Sequence, residues 1–316
     1  MALVVFSLWR FNPDDPSGKN IYKIGIVVRG ETYRPGVDGF RKKMRELGYE
    51  EERNVDYDVQ FIEKREDLAP VIRRMLADGV DLLHTYSTPA TIEAYAETKA
   101  VPIVFGSMGD PLASKTVRSL QSSGTNVTGV NSLSSPLAAK RLEFLIEAAP
   151  QVKRVAFPFT PDDIPGRASY DAALAAAEKL GVEIIPYYIS KERTAKDTAL
   201  AIRRPDVDGM VISSDSAVWA NLGVYVAQAL AQKLPFAVFD KDMVARGGLL
   251  GYGPDYFVTG GQSAVLADKI LKGQRPTDLP IEVPQKLLLV INLRTARLIG
   301  ISLPEDLLER ADLLIE

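Results

Sequence analysis

A chain of 316 residues with 46% apolar and 25% charged side chains has the composition of a globular protein long enough for two hydrophobic cores. Its formal net charge of −3 argues against a nucleic-acid binder, whose footprint is usually basic. It contains no cysteine, which excludes disulfides, thiolate metal sites and thiol nucleophiles together but leaves the compartment open.

The apolar start MALVVFSLW (1–9), followed by the polar linker RFNPDDPSGKN (10–20), reads as the remnant of an anchor or export signal, the alternative being a strand or short helix docked on the body. From Tyr22 short β-rich runs alternate with amphipathic stretches. YKIGIVV (22–28) is expected as a buried strand. GVDGFRKKMRELG (36–48) spaces Val37, Phe40, Met44 and Leu47 as a helix does, and Gly48 suits the position just past its end. A strand at 54–63, a helix at 68–79, a strand at 80–86, a helix at 89–100 and a strand at 101–107 follow. The second half repeats the scheme: strands at 152–159, 182–189, 209–214 and 235–239, with helices at 169–181, before 203 and at 217–232. Such βαβα alternation predicts parallel sheets with helices on both faces. The tail 281–315 reads as one strand and two short helices, without a lobe assignment.

Leu47-Gly48 after the first helix matches Leu180-Gly181, and Val101-Pro102-Ile103 matches Leu234-Pro235-Phe236. Both matches recur at an offset of roughly 130 residues, the mark of two similar units. The expected architecture is therefore α/β, with two doubly wound parallel-sheet lobes and a hinge. Residues 21–130 with about 255–275 form lobe I, and 131–254 with part of 276–316 form lobe II. The chain crosses first in SGTNVTGVNSLSSP (123–136) and returns in GLLGYGPDYFVTGG (248–261).

Ligands of open parallel sheets sit beyond the carboxyl ends of the strands. After the first strand comes a loop with Arg29, Tyr33 and Arg34. After the third comes Tyr86-Ser87-Thr88-Pro89, where Pro89 suits the first helical position and makes Thr88 the expected N-cap. The free N–H groups there could hold an anion; plain capping, worth about 1 kcal/mol, explains the same residues. FGSMGDPLAS (105–114) is the next junction. In the second lobe the equivalent junctions supply Asp162, Asp163, Asp215, Ser216 and Asp240. One lobe thus offers hydroxyls and arginines, the other carboxylates, and a zwitterion held between them satisfies both.

The first strand leads into Arg29-Gly30-Glu31, so a dinucleotide fingerprint is absent, as is a P-loop. PDVDG (205–209) lacks the closing Glu of a calcium loop. Asn126-Val127-Thr128 matches a glycosylation sequon on an expected crossing strand. The single histidine, His84, has no G-x-S-x-G elbow beside it and reads as a strand-end residue bonded to backbone. No catalytic cluster, cofactor or metal is expected.

Several stretches together carry a family resemblance: GFRKKMRELGY (39–49), STPAT (87–91), PIVFGSMGDP (102–111), GTNVTGV (124–130), AKRLEFLIEAAPQVKRVAF (139–157), ADKILKGQRPTDLPIE (267–282) and LVINLRTARLIGISLPEDLLERAD (289–312). In order and spacing they resemble the ABC-transporter substrate-binding proteins related to tryptophan and tyrosine transport, of the type I periplasmic-binding-protein fold. The resemblance implies a non-enzymatic two-lobed binder at the periplasmic or extracellular face. It would close on a small ligand, an aromatic amino acid being favoured, and present it to a membrane permease. Carried over by position, Ser87 and Thr88 would receive the carboxylate. Ser107 and Asp110 would line the same lobe, with Asp215 and Asp240 facing them, and Tyr33, Phe157 and Trp219 would form apolar walls; Asp162 joins the expected site from its strand-end junction. The alternative is the same fold as an extracytoplasmic sensor of a tethered receptor. No helix-turn-helix precedes Tyr22, which disfavours a repressor.

Overall fold

The computed structural model describes residues 21–316; the expected signal remnant and linker at 1–20 lie outside the described residues. Lobe I begins β1 (Tyr22–Val28), α1 (Arg34–Glu46), β2 (Val55–Phe61), α2 (Leu68–Ala77), β3 (Leu82–Tyr86), α3 (Thr88–Glu97), β4 (Ile103–Met108) and β5 (Val127–Asn131). In β1 the residues Ile24, Ile26, Val27 and Val28 are all buried, as a strand covered on both faces requires. Along α1, Val37, Phe40 and Met44 form one buried stripe. That helix ends as expected, with Gly48 at φ +98°, a conformation costly for any residue with a Cβ.

Lobe II continues α4 (Pro136–Ala148), β6 (Arg154–Phe159), α5 (Ile164–Leu180), β7 (Glu183–Tyr188), α6 (Ala195–Ala201), β8 (Gly209–Val211), α7 (Ser216–Ala220), α8 (Leu222–Ala231), β9 (Phe236–Val238), α9 (Lys241–Ala245) and β10 (Leu250–Pro254). The single helix expected over 217–232 is two helices. At the break, Asn221 turns its side-chain amide back to donate to the Ala217 carbonyl at 2.9 Å. The remainder is α10 (Tyr256–Leu271), β11 (Ile281–Glu282), β12 (Leu287–Asn292), α11 (Leu293–Ile299), α12 (Glu305–Glu309) and β13 (Leu313–Ile315). Among the described residues no helix is long and apolar enough to cross a membrane.

The two sheets have orders β11-β5-β4-β3-β1-β2 and β13-β12-β10-β9-β8-β6-β7. Their first five strands follow one doubly wound order, with β1 inserted between β2 and β3 and β6 between β7 and β8. The chain passes between lobes three times: from β5 into α4, from β10 into α10, and from β11 into β12. The tail therefore supplies three strands, not one, and divides them between the lobes. β12 pairs antiparallel to β10, with Leu287 opposite Pro254, so the lobe II sheet is not wholly parallel. The direction follows from the route: a chain re-entering lobe II at the crossing end must run away from it.

Helix α10 returns to lobe I and packs against α1 at backbone distance. A Cβ on Gly39 would stand 2.0 Å from the Phe257 carbonyl oxygen, and one on Gly260 would stand 2.0 Å from that of Gly36. Only glycine permits this approach, and the contact locks the second crossing to the start of the chain.

Candidate functional site

The strand order decides where a cleft can open. At β1/β3 and at β6/β8 the connections leave toward opposite faces, so the loops part beyond the strand ends and leave a crevice. The two crevices face each other and merge into a cleft of about 640 Å³, within the range of small-molecule sites. Lobe I contributes Arg29, Thr32, Tyr33, Arg65, Ser87 and Thr88, the first crossing contributes Ser132 and Ser134, and lobe II contributes Asp162, Asp163, Ser214, Trp219 and Phe239.

One wall is aromatic and spans both lobes. The Tyr33 ring stacks on Trp219 at 5.9 Å and 10°, and Trp219 meets Phe239 edge-on at 5.5 Å. Tyr86 and Tyr256 back Tyr33 at 5.7 and 4.8 Å. These separations suit aromatic pairs. Burial raises the Tyr33 phenol far above its ordinary value, aided by the charge of Asp240, so it stays neutral. The Trp219 Nε1 and Ser134 Oγ, both on cleft-lining residues, are buried without a hydrogen-bond partner. Such groups are costly to leave unpaired and mark where a ligand can bond.

At the opposite wall Ser87 adopts φ 93° and caps α3, its Oγ accepting from the Ala90 N–H at 3.3 Å. The expected N-cap was Thr88. The correction arises because Ser87 N–H donates across the sheet to the Ser107 carbonyl at 3.0 Å, which turns the chain one residue earlier. Thr88 Oγ1 accepts from the Gly109 N–H at 3.1 Å instead.

In lobe II, Asp163 caps α5, accepting from the Gly166 N–H at 2.8 Å. Burial, then the neighbouring Asp215, pushes its carboxyl up to about 6. Asp240 caps α9 through the Met243 N–H at 2.9 Å and takes a hydrogen bond across the lobes from Thr32 Oγ1 at 3.1 Å. Burial, with Asp242 close by, raises it to about 6 as well.

Of the expected site residues, Tyr33, Ser87, Thr88, Asp162 and Trp219 line the cleft. Ser107 is buried in β4, and Asp110 is tied to Ser135 of the first crossing. Asp215 faces backbone, accepting from the N–H groups of Thr160, Ala217 and Val218, so it holds the lobe II loops together instead of reaching for a ligand. Asp240 lies beside the Thr32 contact, off the main cleft. Phe157 is a correction. It is fully buried in the lobe II core at 6.2 Å from Phe159 and 5.8 Å from Tyr170, because it sits within β6, on a face that α5 covers, and not on the loop beyond the strand end where the cleft opens.

Sequence reasoning passed over Arg65, Ser134 and Phe239, which come from a turn, a crossing and a strand end without a motif. Arg29 and Asp163 were noted at their junctions but not singled out. It also missed Arg141, a fully buried side chain directly behind the cleft. Its guanidinium donates to the carbonyls of Ser134 at 2.9 Å and Tyr252 at 3.3 Å and lies 4.7 Å over the Phe239 ring. Burial pushes it down to about 9, and it forms no ion pair among the described residues. It ties the first crossing to the strand that leads into the second.

His84 is fully buried outside the cleft, its ring 3.9 Å from that of Phe40. Its partner is not backbone, as expected, but Ser263 Oγ at 2.9 Å, because α10 packs over the neighbouring strand β4 and brings Ser263 to the ring. The Ser263 hydroxyl has one hydrogen and directs it to the Gly260 carbonyl at 2.8 Å. With that hydrogen on the Gly260 carbonyl, Nε2 is the donor of the pair. Nδ1 has no partner, and burial pulls the ring down to about 3, so it is neutral at physiological pH. Among the described residues no cluster of three or more His, Cys, Asp or Glu side chains is arranged to hold a metal. The amide nitrogen of Asn126 in the sequon is engaged by the carbonyls of Thr98 and Val101 at 3.1 and 2.7 Å.

Comparison with known proteins agrees with the two-lobed fold. A tyrosine-binding protein of Clostridioides difficile (strain R20291) is 24% identical over 280 residues, 88% of this chain and 80% of the relative. The ABC domain in complex with L-Trp from Streptococcus pneumonia superposes with a TM-score of 0.86 at 25% identity, covering 93% of this chain and all of that one. A conserved domain protein from Vibrio cholerae O1 biovar eltor gives the same TM-score of 0.86 at 26% identity, over 93% of this chain and 99% of its own. The family described as ABC transporter substrate binding protein, whose members are binding proteins and not enzymes, matches residues 23–315. That match runs from the second residue of β1 to the last of β13 and leaves neither lobe outside it: the chain belongs to the family of ABC transporter substrate binding proteins.

Proposed function

We propose that this solute-binding protein captures an aromatic amino acid in the interlobe cleft and presents it to an ABC permease. The observation that carries this reading is the wall of Tyr33, Trp219 and Phe239, which draws rings from both lobes to one side of a polar cleft. An aromatic side chain laid against it buries apolar area where an aliphatic one leaves ring faces uncovered. Support comes also from the relatives, one named for tyrosine and one solved with L-Trp. Capture places the protein at the periplasmic or extracellular face, close to its permease. The match to a transporter family along both lobes favours this role over that of a receptor sensor.

Contacts between the lobes supply the closure. Thr32 reaches Asp240 and Tyr33 reaches Trp219 across the cleft. A ligand filling the space between them stabilises that arrangement by mass action. Thermal shift and titration calorimetry against L-tryptophan, L-tyrosine and L-phenylalanine test the reading. At 100 times its Kd a ligand adds roughly 2.7 kcal/mol to stability. Trp219→Ala is expected to weaken an aromatic ligand by roughly 30-fold, as loss of a buried aromatic anchor does. Absence of binding by all three would overturn the assignment.

A further inference from the structure

Six charged groups lining the cleft, Arg29, Glu63, Arg65, Asp162, Asp163 and Arg246, form no ion pair among the described residues, and Arg29, Arg65 and Asp163 are three that act on one another. Arg29, at the end of β1, and Arg65, on the turn after β2, line the lobe I side, and Asp163 lines the lobe II side. Arg29 Nε is buried without a hydrogen bond. Neither arginine forms an ion pair among the described residues, whereas their neighbour Arg34 is held by Glu31 at 2.7 Å. Asp163 uses one oxygen for the Gly166 N–H, and the other takes no hydrogen bond from the described residues. The three groups sense one another. After burial, the like charge of Arg65 lowers Arg29, and Glu66 and Asp163 oppose it. Arg29 and Arg65 in turn act on Asp163 against burial and Asp215. Yet no arginine nitrogen closes on Asp163 to form a bridge. By contrast the α3 hydroxyls are already engaged: Ser87 Oγ with Ala90, and Thr88 Oγ1 with the Gly109 backbone.

We infer that Arg29 and Arg65 seat the carboxylate of the bound amino acid and Asp163 its ammonium, so that the zwitterion completes a charge bridge between the lobes. This rests on the amino-acid reading above and moves the carboxylate from the Ser87–Thr88 cap to the arginine pair. A guanidinium offers paired donors in the plane a carboxylate needs, and a carboxylate with a free oxygen accepts from an ammonium. The ligand thereby neutralises groups on both lobes, each of which is left uncompensated when the lobes part. The class selected is the free α-amino acid; an aromatic amine or an aromatic acid supplies only half of the bridge.

Calorimetry on the whole chain tests this with wild type, R29Q, R65Q and D163N, each verified folded by its thermal melt. The probes are the aromatic amino acids, tryptamine and indole-3-propionate, followed by the other proteinogenic amino acids. Each charge-neutral variant is expected to weaken the amino acid by roughly 10–100-fold, the usual effect of losing a charge-assisted hydrogen bond. R29Q and R65Q should leave tryptamine unaffected, and D163N should leave indole-3-propionate unaffected. Wild type alone provides a second readout: both analogues should bind at least 100-fold more weakly than the amino acid. The inference is overturned if R29Q and R65Q bind the amino acid within about twofold of wild type, if tryptamine binds as tightly as tryptophan, or if no zwitterion binds. Tight binding of a non-aromatic amino acid with the same sensitivity to R29Q would overturn the aromatic assignment and support the charge bridge.

Discussion

His84 provides a quantitative check on how the lobe I core is built, because it is the chain's one imidazole and no other residue shares its signals. Its ring sits between Phe40 and Tyr86, donates from Nε2 to Ser263, and leaves Nδ1 bare. Protonation would place an N–H at Nδ1 with no acceptor in a dry site. Burial accordingly lowers the folded value from 6.5 to about 3. The folded value lies below the unfolded one, so this group's stability is present above pH 6.5 and is lost as pH falls below it. From pH 7.5 to pH 5 the loss is about 2 kcal/mol, since each pH unit below the unfolded value costs about 1.4 kcal/mol. Urea denaturation of wild type and His84→Gln at both pH values measures it. Glutamine can still donate to Ser263 but does not titrate. The variant is offset by the lost ring contact, yet its change between the two pH values should be about 2 kcal/mol more favourable than that of wild type. Buried Asp163 and Asp240 respond in the opposite sense, but both proteins carry them and the difference removes them. Histidine-selective nitrogen NMR should show the Nε2–H tautomer unchanged from pH 8 to pH 5. An imidazole midpoint near 6.5, or equal pH responses for the two proteins, would refute the argument.

Thr32→Val removes the hydroxyl that joins Asp240 across the cleft at 3.1 Å. Ligand affinity should fall about tenfold, in the dissociation rate, while a thermal melt without added ligand changes little, since the contact acts on closure and not on either core; unchanged dissociation kinetics would count against it. Asp240 has a folded value raised to about 6, so its contribution is most favourable at low pH and declines as pH rises through 6. Asp240→Asn keeps the helix cap, and its stability relative to wild type should drop by about 1.4 kcal/mol on going from pH 7.5 to pH 5; a pH-independent difference in chemical denaturation would contradict this. Gly260→Ala pushes a methyl group to 2.0 Å from the Gly36 carbonyl, backbone against backbone. It should cost about 3 kcal/mol in denaturant unfolding, and an unchanged midpoint would mean that α1 and α10 do not pack this closely.

The elements that sequence reveals most directly are those whose signal is local. The buried run of β1, the stripe of Val37, Phe40 and Met44 on α1, and the glycine after Leu47 each follow from neighbours within a few residues. The repeat of Leu47-Gly48 at Leu180-Gly181 carries the two-lobed plan as well, because each lobe winds by the same rule. The strand-end rule located the cleft, and five of the ten expected residues line it. It did not distinguish adjacent carboxylates: Asp163 keeps an oxygen free at the cleft, whereas Asp215 is turned to three backbone N–H groups. Both read alike as acids before a helix.

Local pattern and strand winding thus determined the fold class, the existence of two lobes and the polarity of their mouths, because side-chain periodicity and turn chemistry act between near neighbours. Only the tertiary structure decided that β12 runs against β10, that Phe157 belongs to the core, and that Arg141 braces two crossings from behind the cleft. The first and last of these join segments well beyond the reach of local pattern, as in the 111-residue separation of Arg141 and Tyr252. No local pattern specifies which distant carbonyl a buried guanidinium meets; burial and hydrogen-bond satisfaction set that only after the lobes are assembled.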